Sequence, residues 1–127
     1  MDSNLKIAIV EDNDDLRSLL VQDLSIAGYF VQGADSAEQL DEIFAVNNFD
    51  VLIADVNLPG ESGFDIAARY KRLNTFLTVV MLTARTSAED KIKGYESGAD
   101  LYLTKPVSNP ELLAVIGSIS RRVMAQK

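Results

Sequence analysis

A chain of 127 residues is sized for one compact domain with a single sizeable core. Its 47% apolar and 24% charged residues are the balance of an ordinary globular protein, and its net charge of −7 argues against direct contact with nucleic acid, whose phosphates demand a basic surface. With neither cysteine nor histidine, a disulfide framework, a thiolate nucleophile and the common zinc sites are excluded, leaving chemistry to carboxylates, hydroxyls, lysine and a hard cation.

The apolar runs are too short to cross a bilayer, and the opening MDSNLK lacks the basic-then-apolar order of a signal peptide, so no membrane association and a cytoplasmic setting are expected. In chain order, residues 5–10 read as a buried strand. A helix follows with Leu16, Leu19, Leu20 and Leu24 on its apolar face and Gly28 closing it. Residues 29–32 make a shorter, more polar strand suited to an edge. A second helix starts at Ser36 and carries Leu40, Ile43 and Phe44. Residues 51–54 are a third strand, and residues 63–73 a helix with Phe64, Ile66, Ala67 and Ala68 inward.

Residues 77–82 form the fourth strand. Ser87 and Asp90 sit at capping-box spacing before the fourth helix, which ends at Gly98. After a strand at residues 101–103, Ser108, Pro110 and Glu111 suit the start of a fifth helix whose apolar face is Leu112, Leu113, Ile116 and Ile119. Gly117 inside it costs up to about 1 kcal/mol against alanine unless a neighbour packs closely there. Strand–helix units in alternation imply an α/β domain with a parallel sheet covered on both faces by right-handed crossovers. The sequence leaves the strand order open. It does say where a site belongs, at the carboxyl ends of the strands.

At those ends the polar residues converge. The first strand ends in Glu11 and Asp12, the third in Asp55, the fourth in Thr83 and the fifth in Lys105. Singly, each has an ordinary use: acidic residues favour a helix N-terminus, an aspartate before Leu-Pro-Gly suits a turn, and lysine is usually solvated. Together they are harder to dismiss. Carboxylates about 4 Å apart repel by about 4 kcal/mol per pair at an effective dielectric near 20, so such a cluster holds protons or a cation. With oxygen ligands alone the natural cation is Mg²⁺. Lysine adds a second positive charge, threonine a hydroxyl donor, and an aspartate can itself be the nucleophile of an acyl phosphate.

With these residues placed, the chain resembles the receiver domains of two-component response regulators over nearly its full length. The resemblance implies a single flavodoxin-like (βα)5 doubly wound parallel sheet in the order 2-1-3-4-5. It makes Asp55 the phosphoacceptor and places Mg²⁺, with Mn²⁺ as a substitute, on Glu11, Asp12, Asp55 and the backbone carbonyl of Asn57. Thr83, Ala84 and Lys105 match the phosphoryl-binding and switch set, Tyr102 the aromatic that turns inward on activation, and Pro106 follows a cis bond. Asn57 and Arg85 occupy the flanking positions that set phosphoryl lifetime. The implied partner is a histidine kinase or a histidine phosphotransfer protein.

Leu82, Thr83, Ala84 and Arg85, with Gly94, Gly98, Ala99 and Asp100 and the later Glu111, Arg121 and Arg122, resemble receivers fused to winged-helix DNA-binding domains. That subgroup implies transcriptional regulation through an attached output domain, with residues 121–127 a candidate start of a linker. A stand-alone receiver acting through protein contacts is the alternative. Lys91, Glu96, Asp100, Glu111 and Arg122 match a charged homodimer face on the fourth helix, fifth strand and fifth helix. Leu101 and Val115 replace two of its charged positions, so a weaker or less polar dimer is expected. An aspartate-nucleophile phosphatase would want a second aspartate where Asn57 stands. A flavodoxin-like or nucleotide-binding module would want a Gly-rich loop where the chain has acidic residues. The expectation is therefore a phosphoacceptor that catalyses only its own modification.

Overall fold

The computed structural model describes residues 5–126; residues 1–4, which include most of the segment read above for a leader, and residue 127 lie outside the described part. Ten elements alternate along the chain: β1 Lys6–Val10, α1 Asp14–Ile26, β2 Phe30–Ala34, α2 Ala37–Val46, β3 Val51–Ala54, α3 Gly63–Leu73, β4 Thr78–Thr83, α4 Ala88–Ser97, β5 Leu101–Thr104 and α5 Asn109–Gln126. The five strands form one parallel sheet in the order β2-β1-β3-β4-β5. This is the doubly wound arrangement that the resemblance implied.

Strand side chains alternate between the two faces and both faces are covered, which is why β1, β3 and β4 read as unbroken apolar runs. Ile7, Ile9, Ile53 and Val80 pack with Leu20 and Leu24 of α1 and with Leu112, Ile116 and Ile119 of α5. Ala8, Val10, Leu52 and Met81 pack on the other side with Leu40 of α2 and with Phe64, Ile66 and Tyr70 of α3. Serine side chains cap α2, α3 and α4 at Ser36, Ser62 and Ser87, each accepting from the backbone N–H three residues on. α4 stops at Gly98, whose φ of +117° few other residues adopt.

Four details differ from the sequence reading. Leu19 is 52% exposed, because the apolar stripe of α1 is broader than the face the sheet can cover. β2 is at an edge as expected, but continues to Ala34 through Gly33, over which the Arg17 side chain of α1 lies closely. α5 runs to Gln126, so the described part of the segment read as a linker start is helical. A Cβ at Gly117 would meet nothing nearer than an Arg121 Nη1 at 3.8 Å, so close packing does not account for that glycine. Among the described residues, no helix is long and apolar enough to cross a membrane.

Candidate functional site

Each strand end delivers its polar residue to the rim by a backbone device. Beyond β1, the Glu11 N–H still donates to Ala34 C=O at 3.0 Å, which keeps Glu11 tied to the sheet. Asn13 caps α1 by accepting from Leu16 N–H at 2.9 Å, and its own N–H donates to Glu11 Oε2 at 3.0 Å. The Glu11 carboxylate is thereby turned inward, 3% exposed, while Asp12 stays on the solvent side. Not every acid of the early cluster joins the site. Asp14 pairs with Arg17 at 2.6 Å, and Arg17 Nη1 donates to Glu11 C=O at 2.7 Å.

Asp55 leaves β3 with its N–H on Val10 C=O at 3.2 Å and its Oδ1 accepting from Asn57 N–H at 3.2 Å. The next helix begins almost on top of it: a Cβ at Gly63 would lie 2.1 Å from the Asp55 carbonyl oxygen, so only glycine fits. At the end of β4, Thr83 is fully buried and its Oγ1 accepts from Arg85 N–H at 3.3 Å. Beyond β5, the Lys105 N–H donates to Thr83 C=O at 2.9 Å, which aims the lysine across the rim. Its Nζ donates to Glu11 Oε1 at 2.7 Å and to Asp55 Oδ2 at 2.9 Å. The peptide between Lys105 and Pro106 is cis, as the resemblance implied.

Glu11, Asp12 and Asp55 each offer a carboxylate oxygen within 4.8 Å of the others. Octahedral Mg²⁺ with bonds of about 2.1 Å spaces neighbouring ligands by about 3 Å and opposite ones by about 4 Å, so the three carboxylates would hold a hard divalent cation after closing by at most about 2 Å. As described, the only ammonium bonded to the trio is Lys105. Burial pulls its pKa down, but the hydrogen bonds from Glu11 and Asp55 outweigh this and hold it above the ordinary lysine value.

Asn57 and Arg85 meet at the flank, Nη1 to Oδ1 at 3.4 Å, and Arg85 Nε also reaches Asp90 at 3.4 Å. Ala84 lines, with Lys105, Pro106 and the exposed Leu19, a groove of about 540 Å³ between α1 and α5. The Tyr102 ring lies inside, 9% exposed, with its hydroxyl donating to Arg85 C=O at 2.8 Å. A Cβ at Gly94 would sit 2.9 Å from that ring. Burial chiefly, with the Asp90 charge behind it, raises the Tyr102 pKa.

On the proposed dimer face, Lys91, Glu96, Glu111 and Arg122 are exposed, and Leu101 and Val115 are half-buried against the core. Asp100 is engaged within its own chain, accepting from Val79 N–H at 2.8 Å and pairing with Lys71 at 2.9 Å. Ile92 and Tyr95, three apart on α4 and more than half exposed, add apolar surface there that the sequence reading passed over. It also passed over Arg17, whose clue was its place one turn after Asp14.

The doubly wound sheet and its acidic rim with a bridging lysine define the receiver class of signalling domain. Residues 7–117 match the family model described as response regulator receiver domain, and the chain belongs to that family. It is similar to the transcriptional regulatory protein RprY of Bacteroides fragilis, 36% identical over 127 residues that make up 100% of this chain and 54% of RprY. It is also similar to the phosphate regulon transcriptional regulatory protein PhoB of Pseudomonas aeruginosa, 37% identical over 118 residues, 91% of this chain and 52% of that protein. The chain thus spans about half the length of the curated relatives it matches. Among solved structures it resembles the chemotaxis protein CheY4 of Vibrio cholerae, with a TM-score of 0.86 and 30% identity over 91% of this chain and 98% of that one.

Proposed function

We propose that Asp55 accepts a phosphoryl group from a histidine kinase or a histidine phosphotransfer protein, in a Mg²⁺-dependent reaction in the cytoplasm. The observation that carries this reading is Lys105 Nζ bonded to both Glu11 and Asp55, with the Asp12 carboxylate beside them. An Asp55 oxygen attacks phosphorus, the O–P bond forms, the P–N bond to the donor imidazole breaks, and its electron pair stays on the ring nitrogen. Bound at Glu11, Asp12, Asp55 and the Asn57 carbonyl, Mg²⁺ or its substitute Mn²⁺ supplies charge neutralisation for the transferring oxygens. Lys105 turns from the carboxylates to the new phosphoryl group. Thr83 Oγ1 accepts a backbone N–H, which leaves its own proton to donate.

Movement of Thr83 toward the phosphoryl group would act on Arg85, whose N–H it holds and whose carbonyl anchors the Tyr102 hydroxyl. The link supports a population shift of the face formed by α4, β5 and α5. The groove beside Lys105, with Leu19 exposed in it, offers the phosphodonor protein a docking edge. Relatives of about twice this length, named as transcriptional regulatory proteins, support an output domain that regulates transcription. Turnover of exogenous phosphate esters is not expected, since Asn57 stands where a second aspartate would act. Acetyl phosphate with and without Mg²⁺, read by mass spectrometry of Asp55, tests the proposal; absence of a metal-dependent adduct overturns it.

Two further outcomes are expected. Arg85→Ala opens the Asn57 side of the acceptor to water and should speed loss of the phosphoryl group by about tenfold, or about 1.4 kcal/mol of barrier. Decay of the labelled protein measures this, and an unchanged rate removes Arg85 from that role. Sedimentation of the beryllofluoride-treated protein should show a weak dimer with little salt dependence, because Asp100 is held internally and Leu101 and Val115 carry no charge. A tight, strongly salt-sensitive dimer would contradict this.

A further inference from the structure

We propose that Arg69 is a positioning residue for the cation and phosphoryl site, holding the loop between β3 and α3, and with it the Asn57 carbonyl, in place. The inference rests on the phosphoacceptor reading above and adds to it a residue outside the rim.

The loop is tied at both ends, and Leu58, next to Asn57, packs half-buried against the core; the Arg69–Glu61 fork acts on the stretch beyond it. At one end Asn57 N–H donates to Asp55 Oδ1, and at the other Gly63 N–H donates to Val56 C=O at 3.0 Å. Between them, Pro59, Gly60 and Glu61 face the start of α2 across a cleft of about 300 Å³, so packing does not fix the loop on that side. Gly60 has a φ of +81°, the turn that brings Glu61 around. What grips this stretch is a two-point fork: Arg69 Nε to Glu61 Oε2 at 3.0 Å and Nη2 to Glu61 Oε1 at 2.9 Å. Paired N–H donors on a carboxylate fix direction as well as distance.

The fork is itself anchored. Arg69 Nη1 donates to Asp41 Oδ1 on α2 at 2.9 Å, and the Tyr70 hydroxyl donates to the same oxygen. The Arg69 guanidinium, carried on α3, is therefore held between the loop and α2. Charge adds a second reason. Glu38 and Asp41 line the same cleft as Glu61, so without Arg69 like charges would push the loop away from α2, and Asn57 lies four residues upstream in that loop.

The test uses Arg69→Gln, Glu61→Gln and Asp41→Ala in the otherwise intact chain. Amide resonances are followed by NMR during titration with MgCl₂, and amide hydrogen exchange of the loop is measured without metal. Arg69→Gln and Glu61→Gln should each weaken Mg²⁺ binding by about tenfold, the lower edge of what outer partners of metal ligands contribute, and speed exchange at loop amides. Asp41→Ala removes the α2 arm alone; it should lower Tm, and weaken Mg²⁺ binding by much less than the fork variants do. If Arg69→Gln does not fold, Glu61→Gln, a change on the loop itself, decides. Wild-type affinity in the fork variants, or equal weakening in Asp41→Ala, overturns the positioning role. A wild-type protein that does not respond to Mg²⁺ overturns the phosphoacceptor reading, and this inference with it.

Discussion

Asp55→Asn is expected to reduce labelling by acetyl phosphate or a phosphorylated donor protein to background. The amide oxygen can still accept from Asn57 N–H, so the turn survives, but a carboxamide is not a nucleophile for phosphorus. The fold should tolerate the change. Neutralising Asp55 relieves repulsion from Glu11 and Asp12 and forfeits attraction to the closer Lys105, effects of opposite sign that largely offset each other. Tm should therefore move by only a few degrees (a few degrees corresponding to about 1 kcal/mol) while Mg²⁺ affinity falls. Full labelling of this variant, located by mass spectrometry, would put the acceptor on another carboxylate.

Lys105→Ala should separate metal binding from signalling. Without the ammonium, Glu11 and Asp55 lose their shared donor, both are nearly buried, and the metal-free protein should lose about 1–3 kcal/mol of stability, the penalty for unpaired buried polar groups. Mg²⁺ then has no internal competitor for those oxygens, so it should bind at least as well as in the wild type and raise Tm by more. Activation should nevertheless fail, because no other cation bonded to the trio can turn to the phosphoryl group. Normal activation of Lys105→Ala, read by the dimer or by chemical shifts at α4, would refute the assigned role.

The same variant carries a pH signature. The Lys105 pKa is raised in the folded protein, so its contribution is complete below the unfolded lysine value of about 10.4 and is lost as pH climbs through the raised one. Tyr70 and Tyr102 are also raised, chiefly by burial, and likewise erode stability in alkali. The difference between wild type and Lys105→Ala isolates the lysine: it should shrink above about pH 10.4. A difference that stays constant to higher pH would show that the lysine is not what stabilises the trio.

Much of this was legible in the chain itself, for reasons of period and punctuation. Strands buried on both faces must be apolar throughout, and serines and glycines mark where helices begin and end, so β1, β3, α3 and α4 read with correct limits or nearly so. Asp55 and Lys105 could be placed on one rim because parallel topology sends every strand's carboxyl end the same way. Glycine hid the end of β2, and the apolar Leu19 misled because a groove, not the core, takes it. The Arg69, Glu61 and Asp41 arrangement left no local trace: its partners lie 8 and 28 positions away, and only packing of α2 against α3 brings them together. Tyr102 was placed correctly in the chain, but the packing of its ring against Gly94 of α4 could not be read from the strand alone.

The seating of Gly63 against the Asp55 carbonyl has a practical consequence for anyone re-engineering this domain. Sensors are often built by splicing a peptide into a loop beside an active site, and the stretch from 57 to 62 looks inviting because it faces solvent. Its two ends, however, are in close backbone contact: Gly63 N–H donates to Val56 C=O at 3.0 Å, and a Cβ on Gly63 would lie 2.8 Å from Val56 Cα. An inserted peptide would have to leave and return through one fixed gap. Splices at the far end of the sheet, between α3 and β4, would leave the chemistry untouched.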